Sequence, residues 1–223
     1  MYFPTDKLYI ETKSIVLGEK VIKKEFFELA SWAKNSLNIS ILNASFSLKN
    51  RASLPSLHIV FEHQKDYNHL HGDPENPYNQ KYNNQIASSY LSIVRELRMD
   101  DFANYQSANF HMSYSVFSKI AVIECLSKIN KSELDRLKKK YLSSGLWTIS
   151  IHYNSVVIFY TNEAEIAINA MSGITMEIEN SIRKLASKYD EFNYLAEGLV
   201  FFGYDSKENF DKKYKGDWYS YYK

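Results

Sequence analysis

Read for hydrophobic periodicity, the chain passes through one order of helix and strand patterns twice. That duplication restricts its fold more than any other feature. In the first half, residues 8–16 read as a strand, and Gly18 marks the turn after it. Ile22, Phe26, Leu29, Ala30 and Ala33 then recur at helical spacing, which predicts an amphipathic helix over 19–35. Residues 38–48 read as a strand whose alternation changes phase. Ile39 and Ile41 share one face, whereas Leu42, Ala44, Phe46 and Leu48 share the other. A β-bulge near Ile41 and Leu42 reconciles the two. A strand over 57–63 follows, then a polar stretch over 64–80 that Gly72, Pro74 and Pro77 mark as a long loop. A helix over 81–98 and a strand over 108–116 complete the half.

The second half repeats the order. Residues 119–126 are apolar and β-branched and read as a strand, and Asn130 or Ser132 caps the helix that follows. Residues 146–153 alternate well. With Asn154 and Ser155 as a two-residue turn, they form a hairpin with 156–161. Ile174, Ile178, Ile182 and Leu185 give a further helix, and 199–203 the last strand. Both halves are thus written β-α-β-β-α-β, the ferredoxin-like order. The expected fold class is α+β. It comprises two tandem ferredoxin-like units with antiparallel sheets, over residues 1–117 and 118–204, and a C-terminal aromatic tail over 205–223.

Charge and cysteine content narrow the function classes. The formal net charge is +1, so a broad attraction to nucleic acid or anionic lipid is not built into the total. Cys125 is the single cysteine, which excludes an intrachain disulfide and a thiolate-rich zinc site. The first residues lack a basic run followed by an apolar stretch, and no window approaches the ~20 apolar residues of a membrane helix. The expectation is a cytoplasmic protein without a membrane partner. Eighteen tyrosines exceed what a core of this size hides, which places some at the surface, where tyrosine serves contact.

Six histidines are present, and four of them, His58, His63, His69 and His71, fall within residues 57–72 with Glu62, Asp66 and Asp73. Imidazole and carboxylate suit zinc, iron or manganese. His63, His69 and His71 therefore form one candidate metal group, although no HExxH or comparable spacing occurs. The reading preferred is a solvated polar segment with no metal and no cofactor.

Two strands carry a histidine with a partner two residues on. These are His58-Ile59-Val60-Phe61 and His111-Met112-Ser113-Tyr114. A histidine and a hydroxyl at this spacing share one strand face and can contact a phosphate together. The pattern resembles that of the two-histidine phosphoesterases, with Val60 standing where that family has Thr or Ser. The resemblance implies His58 and His111 as base and acid, with Ser113, acting on RNA.

The duplicated order is also similar to that of the CRISPR repeat-processing endonucleases. Those proteins carry a glycine-rich loop near the C-terminus, where this chain has only Gly198, Gly203 and Gly216, widely separated. Lys138, Lys139 and Lys140, and Lys212, Lys213 and Lys215, are local basic clusters diluted by acidic neighbours. No GxSxG elbow or glycine-rich phosphate loop occurs. The leading expectation is therefore a non-catalytic protein-binding module, for instance a bacterial toxin-neutralising (immunity) or antagonist protein. Its contact residues are Tyr67, Tyr78, Tyr82, Trp218, Tyr219, Tyr221 and Tyr222, its partner is a protein, and RNA is the alternative.

Overall fold

The computed structural model describes residues 3–48, 55–71, 80–99, 105–106 and 110–223. The chain divides into two compact units, Met1–Ile120 and Ala121–Lys223. Each holds one three-stranded mixed sheet.

In the first unit, α1 (Lys7–Val16) and α2 (Lys24–Leu37) precede a hairpin of β1 (Ile41–Leu48) and β2 (Pro55–Phe61). Two further helices, α3 (Gln64–His71) and α4 (Gln80–Glu96), lead to β3 (His111–Val116). β1 runs antiparallel to β2, and its register shifts between Ile41 and Asn43, where the phase of the alternation changes. β3 runs parallel to β2, the return direction that a helical crossover permits.

The second unit repeats this plan. α5 (Phe117–Ser127) follows β3, and α6 (Lys131–Lys140) precedes the hairpin of β4 (Leu146–His152) and β5 (Ser155–Tyr160). α7 (Glu163–Ser172) and α8 (Ile174–Ala186) lead to β6 (Phe201–Ser206), which is parallel to β5. α9 (Lys207–Tyr214) and the short α10 (Trp218–Tyr221) close the chain.

The correspondence extends to register and to single hydrogen bonds. Residues 56–61 pair with 111–116, and 155–160 pair with 201–206, six positions in each sheet. Glu62 N donates to Ser40 O at 3.1 Å, and Thr161 N to Gly145 O at 2.8 Å. Ser118 N donates to Glu62 O at 3.0 Å, and Glu208 N to Thr161 O at 3.3 Å. Both hairpins shift register near the start of their first strand. The two units thus share a repeated element plan.

Its elements differ from β-α-β-β-α-β at several points. The strand expected over 8–16 is α1, which buries Tyr9 and Thr12, three residues apart on one helical face. The strand expected over 119–126 is α5. This helix buries apolar residues around its circumference, with Phe117, Ala121, Val122 and Leu126 among them, and only Lys119, Glu124 and Ser127 interrupt the pattern. Periodicity alone cannot separate such a helix from a buried strand. The loop expected over 64–80 contains α3, where Leu70 is buried and Gln64 Nε2 donates to Asn68 Oδ1 one turn on. Residues 72–79 lie outside the described residues. α7 went unread. It is fixed by a capping box in which Asn162 Oδ1 accepts from Glu165 N and the Glu165 side chain accepts from Asn162 N. The turn of the second hairpin is Tyr153-Asn154, one residue earlier than expected, with Tyr153 in the left-handed region.

One face of each sheet carries the core. In the first unit, Ala44, Leu57, Ile59 and Phe61 meet α2 and α4 through Phe26, Leu29, Ile86, Tyr90 and Val94. In the second, Val156, Ile158 and Tyr160 are fully buried, as are Ile178 and Ile182 of α8. The Tyr160 hydroxyl lies 2.7 Å from Thr175 Oγ1.

Candidate functional site

Strand alternation and register set what the opposite faces display. In the first sheet, β1 contributes Asn43, Ser45 and Ser47, β2 contributes Ser56, His58 and Val60, and β3 contributes His111, Ser113 and Ser115. This face is almost wholly polar. His58 sits at its centre, 4% exposed, with Nδ1 2.8 Å from Ser113 Oγ and Nε2 2.9 Å from Ser115 Oγ. Burial lowers its pKa to about 4, so the ring is neutral near pH 7. A neutral imidazole has one N–H and one bare nitrogen, so one serine accepts from the ring and the other donates to it. Asn43 Nδ2 donates to Thr12 Oγ1 of α1 at 3.1 Å, which ties that helix to the same face.

The register places His111 on the side of β3 that carries Ser113, so both strand histidines occupy one sheet face. They differ in environment, since His111 is exposed and His58 is buried. Ser115 went unnoticed in the sequence. Its signal was the period-2 serine at 113 and 115, facing a histidine whose register partner is Ser113.

The matching face of the second sheet carries Phe159 and Phe201 among polar and small residues such as Thr148, Ser150, Ser155, Gly203 and Asp205, and its cover is aromatic. Phe159 occupies the position of Val60, and Val157 that of His58. The tail folds over it. Trp218 and Tyr221 lie edge-on or tilted to Phe159 at 5.3 and 5.2 Å between ring centroids. The Tyr222 hydroxyl donates to Ser150 Oγ at 2.6 Å, and its ring stacks on His152 at 4.3 Å. Trp218 stacks in turn on Tyr222 and on Trp147, both at 6.2 Å. Four rings therefore stand nearly parallel in one row. Asp217 begins α10 by accepting from Tyr219 N and Ser220 N.

The outer side of this layer is open. Tyr219 is 75% exposed and Trp218 39%. They border a hollow of about 380 Å³ with His152, Tyr222 and Lys223. Lys223 Nζ lies 5.8 Å from the Tyr219 ring centre, within cation–π range. Tyr221 is held inward by Phe159, Phe210 and Asp205, and burial raises its hydroxyl pKa.

The other expected contact residues are dispersed. Tyr67 and Tyr82 pack, partly buried, against the first core, and Tyr78 lies outside the described residues. His69 sits on α3 beside Tyr82, with ring centroids 6.0 Å apart. His63 lies 3.5 Å from Glu62 Oε1. The side chain of His71 and all of Asp73 lie outside the described residues. Among the described residues, no three or more His, Cys, Asp or Glu side chains are grouped to hold a metal. Cys125 is buried and donates to Tyr189 O at 3.2 Å. Burial first, then Asp190 and Glu124, push its pKa up to about 12, which leaves an unreactive thiol. No described helix is long and apolar enough to cross a membrane.

Comparison with models of known protein families, with curated proteins and with solved structures finds no match to this chain.

Proposed function

We propose that this chain is a non-catalytic binding protein whose contact surface is the outer side of the C-terminal aromatic layer, and that its partner is a protein. The observation that carries this reading is Tyr219. It is 75% exposed on a helix held from beneath by a row of stacked rings, beside Trp218 and a hollow open to solvent. Rigid, amphipathic aromatic side chains at a surface lose little entropy on contact and recur as interface anchors. A toxin-neutralising or antagonist role is one form of the same reading. A cytoplasmic location is consistent with the single buried thiol.

The alternative, an RNA-directed phosphoesterase on His58, His111 and Ser113, has less support. His58 would have to exchange a proton with substrate. Both of its ring nitrogens are engaged by serines, and burial holds the ring neutral.

The test is recovery of a stoichiometric protein partner on the tagged chain, followed by titration of the purified pair. Cutting after Gly203 would remove half of β6, so point substitution is the cleaner probe. Tyr219→Ala should weaken the complex by about tenfold or more with the unfolding midpoint unchanged. A complex whose affinity ignores Tyr219 and Trp218 would move the contact surface elsewhere. An RNA cleavage product lost in His111→Ala would favour the enzyme.

A further inference from the structure

The edge of the second sheet formed by β6 is open. Phe201 N donates to Asn154 O of the hairpin turn at 2.9 Å. Strand alternation therefore turns the N–H and C=O groups of Phe201, Gly203 and Asp205 towards β5, and those of Phe202 and Tyr204 away from it. Among the described residues, nothing bonds the main chain of Phe202 or Tyr204 on that side. Ser206 N, next along the edge, is closed by Asp205 Oδ1 at 2.7 Å. Exposed edges are ordinarily blunted by lysine, proline or a bulge. β6 reads Phe-Phe-Gly-Tyr-Asp-Ser and keeps register with β5 at every position, so it carries none of the three.

Two copies of β6 laid antiparallel about a two-fold axis at Gly203 bring Phe202 opposite Tyr204 of the second copy, and Tyr204 opposite Phe202 of the second copy. Both are pairs whose residues exchange two main-chain bonds, so the outward groups of both residues are satisfied at once. The side chains agree with that register. On the face that carries the core, the Arg183 guanidinium lies 4.7 Å from the Phe202 ring centre, and Glu179 accepts from the Tyr204 hydroxyl. Pairing Phe202 with Tyr204 of the second copy therefore sets Arg183 against Glu179 of the second copy, opposite charges at two symmetric positions. On the outer face, Phe201 is 59% exposed and falls diagonal to Gly203 of the second copy, where the missing side chain leaves room for the ring.

We infer that this chain forms a two-fold dimer through β6, with a second copy of the chain as the occupant of the open edge and the two three-stranded sheets joined into one of six. A foreign strand would have to bring its own counter-charges to Arg183 and Glu179 in the matching order, whereas a second copy supplies them by symmetry. The interface is independent of the aromatic layer and of the function proposed for it.

Sedimentation equilibrium of the untagged full chain tests the inference. At about 100 µM and low salt the chain should sediment at twice its mass of 26.1 kDa. Tyr204→Pro removes an outward N–H without touching the ladder to β5, and should leave a monomer. If that variant does not fold, charge reversal decides. Arg183→Glu and Glu179→Arg, each alone, set like charges across the two-fold axis and should weaken the dimer by about tenfold or more. The two together restore opposite charges and should return the affinity to within about threefold of the parent's. Hydrogen exchange at the Phe202 and Tyr204 amides should slow as the concentration rises through the dimerisation range. A parent that stays monomeric overturns the inference, even where a different protein is found along β6. So does a dimer that forms equally well in folded Tyr204→Pro, or one that both single reversals leave unchanged, since the contact then lies elsewhere.

Discussion

The outer faces of the two sheets occupy equivalent places in a repeated plan and differ at their centres and in their cover. In the first, a buried neutral histidine is held between two serine hydroxyls, with Ser45 of β1 and Ser56 of β2 beside it. In the second, Val157 and Phe159 replace His58 and Val60 while Ser150 and Ser155 match Ser45 and Ser56, and the tail covers Phe159 with rings. One face gains order from directional bonds that must all be made, the other from contact area that tolerates adjustment. The lesson is that the backbone plan fixes register and strand direction, while each face is free to find its own cover.

The contrast is sharpest at the paired positions Phe159 and Val60. Phe159→Ala should destabilise the chain by about 4 kcal/mol, and Val60→Ala by about half that, measured as shifts in the urea midpoint. Equal effects would remove the energetic difference between the two faces.

The next largest effect belongs to His58. Its folded pKa lies below the unfolded value, so the unfolded chain binds more protons between the two. Stability is then complete above about pH 6.5 and is lost as pH falls towards about 4. The loss across that window should be on the order of 3 kcal/mol. His58→Val, which installs the residue of the second sheet, should flatten the profile. A profile as steep as the parent's would assign the pH dependence to other groups.

Smaller effects probe the tail. Tyr222→Phe removes the bond to Ser150 but keeps the stacked ring, and should cost about 1 kcal/mol in urea unfolding. A loss several times larger would mean that the hydroxyl, and not ring packing, holds the tail down. Least of all, Tyr219→Ala should stay within about 0.5 kcal/mol, because the residue is exposed. A larger destabilisation would make Tyr219 part of the packing and weaken its assignment as a contact.

Where the sequence carried a periodic signal, it was readable. The helix over 19–35, the helix over 81–98, the hairpin near residue 154 and the phase change at Ile41 and Leu42 all have counterparts in the structure. It misled where a helix buries apolar residues around its circumference, as in α5, or is polar by composition, as in α3 with its single fully buried leucine. The placement of Trp218 and Tyr221 over Phe159 depends on pairings about 60 residues apart, which no local pattern encodes. Ser115 was hidden for the same reason, since its role depends on which strand lies beside β3.

The two-residue turn at Tyr153-Asn154 has a kinetic consequence. Closing β4 onto β5 fixes few bonds and spans almost no chain, so it falls on the microsecond scale of hairpin formation. Joining β6 to β5 must first close the long excursion through α7 and α8, and the aromatic layer cannot settle until that strand is in place. The second unit should therefore pass through a stage with its ribbon formed and Phe159 still open to water.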